Sequence, residues 1–269
     1  MSIAPLARLL ERVGSQGEGL LAYLGGLGYL ALDTLKYTVL GVAVRPRIKT
    51  NETFFQMVRL GVRAIPIVVL VQTFVGMILA FQLAPVLADY GQEGKVGTVV
   101  AIAIFRELGP LISAIVLTGF AGAAIAAELG TMVVGEEIAA MRTSAIHPIR
   151  FLVVPRVIAA ILMTISLTII ADIAGTAGGG IVDHYILRRD SWEYFHTVIA
   201  SLEVKDFLTG LIKSGVFAFI LVLISCYEGL GVAGGAGGVG RATTRSVVLS
   251  IFTIVAADCA FTAAFYFFW

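Results

Sequence analysis

Charge is scarce in this chain. Lys, Arg, Asp and Glu make up 14% of its 269 residues, against 58% hydrophobic residues. Soluble domains carry about 25% charged residues, so a water-soluble globule is excluded and an integral membrane protein is implied. A net charge of +1 gives none of the basic footprint of a nucleic-acid binder. Cysteine is nearly absent: Cys226 and Cys259 both fall in apolar runs and read as small buried hydrophobes rather than a disulfide. The three histidines, His147, His184 and His196, lie in different segments with no convergent Cys or carboxylate spacing, which argues against a metal site. No serine occupies a Gly-x-Ser-x-Gly elbow, so no hydrolase constellation emerges. Gly235, Gly237 and Gly240 match a dinucleotide fingerprint only as a string, because an apolar run rather than a strand precedes them. No Gly-Lys-Ser/Thr follows, so ATP hydrolysis by a P-loop in this chain is excluded. The segment reads as a flexible turn with Arg241 and Arg245 at the surface. No cleavable N-terminal signal is evident, and no run shows the alternation of an outer-membrane barrel.

Long hydrophobic runs dominate what remains. A helix needs about 20 apolar residues to cross the hydrocarbon core, and five candidates lie near 64–88, 97–127, 151–182, 206–232 and 246–268. Backbone groups in lipid must be satisfied internally, so these runs are predicted to be helices. Arg106-Glu107-Leu108-Gly109-Pro110 interrupts the second, and Gly175–Gly180 offers a kink in the third. Within residues 1–47, Leu6, Leu9, Leu10, Val13, Leu20, Leu21, Leu24 and Leu27 alternate with Arg8, Glu11, Arg12 and Glu18. Helical spacing gathers many of the apolar residues on one side, as in a helix lying in the membrane interface. The alternative is a sixth span over 19–44, which would hold Asp33 and Lys36. The expected division is an interfacial region, 1–47, and a transmembrane domain, 48–269.

Arg8, Arg12, Lys36, Arg45, Arg47, Lys49, Arg59, Arg63, Arg142, Arg150, Arg156, Arg241 and Arg245 would all share one side of that topology. Lys95, Arg188, Arg189 and Lys205 fall on the other. The positive-inside rule then places the N-terminus in the cytoplasm and Trp269 outside. Residues 183–205, with Trp192, Tyr194 and Phe195, form the main external segment.

Within the spans, Gly119, Gly122 and Ala126, and also Ala123, Ala127 and Gly130, form rows of small residues that allow close helix approach. Such rows serve packing within the bundle or a homodimer face. Arg106 and Glu107 are costly in a bilayer. They have two readings: Arg106 snorkels to the outer interface with Glu107 as its partner, or the pair lines a path for an amphipathic substrate, with Arg106 gripping a lipid phosphate. Asp172, Lys213, Glu228 and Asp258 are the other ionisable groups in spans; Lys213 and Asp258 could share one interior. Between spans two and three, Glu136, Glu137, Ile138, Met141 and Arg142 have helix-forming composition, with acid at the start and base later as the dipole favours. Pro148 follows as a stop. A short helix there could set Ile138 and Met141 into a partner's groove while its charges fix register.

The ordered motifs Arg106-Glu107-Leu108-Gly109-Pro110, Ala127-Glu128-Leu129-Gly130-Thr131-Met132, Glu136-Glu137-Ile138, Pro148 with Val154-Pro155-Arg156, and Gly237-Gly238-Val239-Gly240-Arg241-Ala242-Thr243-Thr244 resemble the MlaE/YrbE family of ABC-transporter permeases, from about residue 45 onward. The resemblance implies an all-α protein of the bacterial inner membrane, with an N-terminal interfacial helix, five spans and a cytoplasmic coupling helix at 135–147. It implies a homodimer on a cytoplasmic ABC ATPase dimer, with a periplasmic ring of MCE-domain proteins and a small STAS-type subunit on the ATPase. ATP and Mg would be bound by that partner, no cofactor by this chain. The family's pocket implies lipid contact by Arg106 and Glu107, with apolar walls from Leu79, Val86, Leu87 and Tyr90. Glu137, Ala139 and Met141 stand where the family's coupling pattern has Gln, Asp and Leu. An autonomous ion- or proton-coupled transporter using Glu107, Asp172, Lys213 and Asp258, and a non-transporting scaffold for MCE proteins, are the rival readings.

Overall fold

The computed structural model describes residues 4–43 and 50–268, and among these every regular element is helical. Five helical stretches are long and apolar enough to cross a membrane: Thr50–Asp89, Glu93–Val134, Ile149–Tyr185, Val204–Leu230 and Gly235–Phe267. They correspond to the five expected runs; four are longer than expected, and the fourth has the expected length shifted two residues towards the N-terminus.

The first helix, α1 (Ala4–Ala43), precedes the spans and is not one of the five. Its inward side sets Tyr23, Gly26, Leu27, Leu30, Thr34 and Tyr37 at helical spacing, with Leu30 and Thr34 fully covered. Its outward side exposes Leu21, Leu24, Leu32, Leu35 and Val39. Apolar residues on the exposed side suit contact with lipid rather than water. The boundary at residue 47 and the cations Arg45, Arg47 and Lys49 lie outside the described residues, as do Trp269 and the side chains of Leu6, Arg8, Leu9, Leu10, Glu11, Arg12, Val13 and Leu20.

The first span joins α2 (Thr50–Leu60) through a tight turn at Val62–Ala64 to α3 (Ile65–Asp89). Pro66 sits in the first turn of α3, where a missing N–H costs nothing. The second span is α4 (Val96–Ala103), α5 (Gly109–Leu117) and α6 (Ala123–Val134), joined by wide π-turns at Ile104–Leu108 and Thr118–Gly122. The expected interruption at 106–110 is thus a widened turn in a continuing helix. After α7 (Glu137–Thr143), α8 (Val154–Tyr185) forms the third span, α9 (Ser191–Ser201) lies between spans, and α10 (Val204–Leu230) and α11 (Gly235–Phe268) complete the bundle.

The centre of the bundle is α8 and α10. Along α8, glycines replace side chains with backbone contact. A Cβ on Gly178 would strike the Thr73 carbonyl, and one on Gly76 of α3 would strike that of Gly175. Gly179 and Gly180 instead receive the ring of Tyr194 from α9. The helix is therefore unbroken through 175–180, where the sequence suggested a kink. Gly122 and Gly130 pack within the bundle, against Leu221 and Val232, whereas Gly119 faces open space. Gly237, Gly238 and Gly240 are also helical, correcting the expected flexible turn, which is confined to residues 231–234. Cys226 is buried as expected, but Cys259 is exposed on α11, the least covered span at 17% of its apolar window.

Candidate functional site

Two groups of charged residues occupy opposite ends of the bundle. The wide turn at Ile104–Leu108 builds the first. In an α-helix neighbouring residues point about 100° apart; here Arg106 and Glu107 both reach α10, at positions two turns apart. Arg106 Nε and Nη2 each lie 2.5 Å from Asp206 Oδ1. Asp206 also accepts the Glu203 N–H through Oδ2 at 3.0 Å, in a capping box that starts α10. Seven residues on, Lys213 Nζ donates to Glu107 Oε2 at 2.6 Å and to Thr262 Oγ1 at 2.9 Å, and lies 3.0 Å from Asp258 Oδ1. Thr262 Oγ1 is also 2.9 Å from Glu107 Oε1.

The arrangement corrects the pairing of Arg106 with Glu107: each instead takes an opposite charge from α10. Lys213 and Asp258 do share an interior. Lys213 is 1% exposed, while the Arg106 side chain is 45% exposed, so one cation is locked in and the other faces space. That space is a cavity of about 300 Å³ lined by both interrupting residues, Thr209, Thr262, Phe265 and Tyr266, among others. Sequence reasoning missed Asp206, Thr209 and Thr262; only the i, i+7 spacing of Asp206 and the i, i+4 spacing of Thr209 with Lys213, and the i, i+4 spacing of Thr262 with Asp258, could have drawn attention to them.

Leu79, Val86, Leu87 and Tyr90 do not line this cavity. Leu79 and Leu87 pack on Ala80, Ala84, Val96, Val100, Ile104 and Val182, while Val86 and Tyr90 are exposed on α3 and just after it. Asp172 is buried elsewhere, its Oδ1 without a hydrogen bond and packed against Gly109.

The second group lies at the α7 end. Glu128 of α6 receives Arg59 of α2 at 2.8 Å and Arg156 of α8 at 3.1 Å, both on Oε2. Arg156 is 3% exposed and also donates to the Leu152 carbonyl at 2.7 Å. Two turns later α6 ends, and Glu136 turns the chain with φ 59° into α7. Glu136, Glu137 and Arg142 are exposed, but Ile138 is buried and Met141 partly so, both against the protein's own core. That corrects the expectation that Ile138 reaches into a partner: the free face of α7 is Glu137, Ala139, Ala140, Arg142 and Thr143.

The Permease MlaE family matches residues 53–264. A probable ABC transporter permease protein of Rickettsia felis is 36% identical over 258 residues, 96% of this chain and 99% of that one. A probable ABC transporter permease protein of Synechocystis is 37% identical over 208 residues, 77% of this chain and 79% of its own. A chloroplast protein of Arabidopsis thaliana named TRIGALACTOSYLDIACYLGLYCEROL 1 is 34% identical over 223 residues, 83% of this chain and 64% of its own.

Proposed function

Because the chain belongs to the MlaE permease family of ABC transporters, we propose that it moves phospholipid, or a related lipid, across or out of the bacterial inner membrane, delivering to or receiving from a periplasmic MCE-domain partner. Membership makes it a multi-pass transport subunit that takes its energy from an ATPase partner. The lipid substrate, the MCE ring, a homodimer and an accessory STAS-type subunit complete the reading. So does an orientation with α7 in the cytoplasm and the Arg106 cavity towards the periplasm.

The observation that carries the lipid reading is the amphipathic make-up of the Arg106 cavity. Arg106, Glu107, Asp206 and Lys213 share its lining with Phe265 and Tyr266, the mixture that a charged head with acyl chains requires. One relative's name is that of a galactosylated diacylglycerol, which supports a diacylglycerol-based lipid and is silent on a phosphate. Arg106 is held ready by Asp206; a phosphate competing for its planar fork would take charge-assisted hydrogen bonds from the exposed edge. Leu79, Val86, Leu87 and Tyr90 would serve as walls once a second copy closes the cavity.

Coupling follows from one continuous span. The span carrying Arg106 and Glu107 in its first half leads directly into α7, about 45 Å further on at 1.5 Å per residue. ATP binding by the partner would press on Glu136, Glu137 and Arg142, while Ile138 and Met141 anchor α7 to the bundle. The Glu128 clamp then passes that displacement to α2 and α8.

The test is mass spectrometry of lipids released from the purified complex. Wild type should carry phospholipid, and Arg106→Ala should lose most of it, while Arg106→Lys retains part. Absence of bound lipid, or an unchanged yield from Arg106→Ala, would overturn the pocket.

A further inference from the structure

A separate cavity of about 510 Å³ lies at the α7 end, between α1 and the turn joining α10 to α11. Its walls include Tyr23, Tyr29, Leu30, Tyr227, Glu228 and Arg245. Nothing in the transport reading uses it.

Glu228 is the informative member. It is 8% exposed, and its Oε1 makes no hydrogen bond. Arg245 Nε stands 3.4 Å from that oxygen as an ion-pair partner, but the Arg245 side chain is 62% exposed. A buried carboxylate oxygen held only by a long ion-pair contact is incompletely satisfied, so the position favours a ligand that brings a closer donor. The rings beside it suit a cation. Tyr23 and Tyr227 meet edge to face with centroids 5.0 Å apart, and the Arg245 guanidinium already sits 5.4 Å above Tyr23. Gly26 leaves the room that Tyr227 fills, since a Cβ there would collide with its ring. Carboxylate and aromatic faces together are recognition chemistry for an ammonium group.

We infer that this cavity binds the headgroup of an aminophospholipid from the leaflet at the α7 end, with its primary ammonium on Glu228 and the tyrosine faces and its phosphate on Arg245. Replacing the long Arg245 contact with a hydrogen bond to Glu228 takes an N–H donor, which selects a primary ammonium over a trimethylated one. Arg245, released from Glu228 by the incoming cation, is free to make the charge-assisted contact to phosphate. The cavity is of headgroup size rather than whole-lipid size. The opposite side of α1 carries the exposed Leu21, Leu24 and Leu32, so the helix that walls the cavity borders the leaflet, which is why the occupant is a lipid rather than a free phosphoamine. The site operates without ATP and independently of Arg106.

The test is photo-crosslinking of the full chain, in neutral detergent, with phosphatidylethanolamine carrying a photoreactive group near its glycerol. Adducted peptides are mapped by mass spectrometry. Adducts are expected within residues 21–35 and 227–231, and unlabelled phosphatidylethanolamine should compete at least tenfold better than phosphatidylcholine. Glu228→Gln should remove that preference while leaving adducts near Thr262 and Tyr266 of the other cavity untouched, so the two sites fail separately. Should Glu228→Gln not fold, the exposed Arg245→Gln serves: it should lower adducts from all phospholipids at this site. Equal competition by the two lipids, a preference kept in Glu228→Gln, or adducts unchanged in Arg245→Gln, would overturn the site. Free phosphoethanolamine competing as well as the lipid would overturn the lipid assignment.

Discussion

Lys213→Met is the sharpest perturbation of the Arg106 end. Met keeps most of the lysine's unbranched stem and its packing, so the change isolates the charge. Lys213 is 1% exposed and holds two carboxylates, Glu107 at 2.6 Å and Asp258 at 3.0 Å. Their side chains are 35% and 12% exposed, so Asp258 suffers more from losing its cation, while water can partly reach Glu107. Removing one partner of a buried pair costs about 3–5 kcal/mol, and the exposure of Glu107 points to the lower figure. At about 3 kcal/mol, the melting temperature should fall by roughly 6–12 °C for a chain of this size. Thermal unfolding in detergent is the assay. Asp258→Asn in the Lys213→Met background should recover about 1 kcal/mol or more, because it removes the orphaned charge. A Lys213→Met protein within about 0.5 kcal/mol of wild type, or strictly additive single changes, would refute the reasoning.

Glu128→Gln should destabilise by about 3 kcal/mol, because buried Arg156 loses its counter-ion; an unchanged unfolding transition would show that the clamp contributes nothing. Gly178→Val should abolish recovery of folded protein, or lower its stability by at least about 3 kcal/mol, as the Thr73 carbonyl can yield only if α3 moves. Normal yield and stability would contradict the close approach. Glu136→Lys with Glu137→Lys, both on exposed positions, should weaken co-purification of the ATPase at least tenfold while leaving the melting temperature of the chain alone. Undiminished capture of the ATPase would remove α7 as the docking helix.

Much of the architecture was legible because lipid imposes simple rules. Twenty apolar residues make a span, and five such runs stood out. The segment from Glu136 to Arg142 was identifiable as a short helix from its helix-forming composition, its charge order and the stop at Pro148. Pairing was not legible. Arg106 and Glu107 are adjacent in sequence, so they suggested each other. Their actual partners, Asp206 and Lys213, lie about a hundred residues away and meet them only through the register of α10 and a wide turn whose place Gly109-Pro110 marked but whose geometry it did not. The inward face of Ile138 was likewise hidden, since a seven-residue helix has no periodicity long enough to show which side is covered. The glycines at 235–240 misled for an energetic reason. Glycine disfavours a helix by about 1 kcal/mol per residue, which predicts a turn. Tertiary packing, including Val239 against Gly130, outweighs that preference.

The central claim is that this chain moves lipid when its ATPase partner acts on α7. It is tested most directly by co-reconstituting both into vesicles and following transfer of labelled phospholipid to an acceptor. Transfer should require ATP and the ATPase, survive a proton uncoupler, and be lost in Arg106→Ala with the complex intact. Transfer by this chain alone that an uncoupler abolishes, or no ATP-dependent lipid movement by the intact complex, would contradict it.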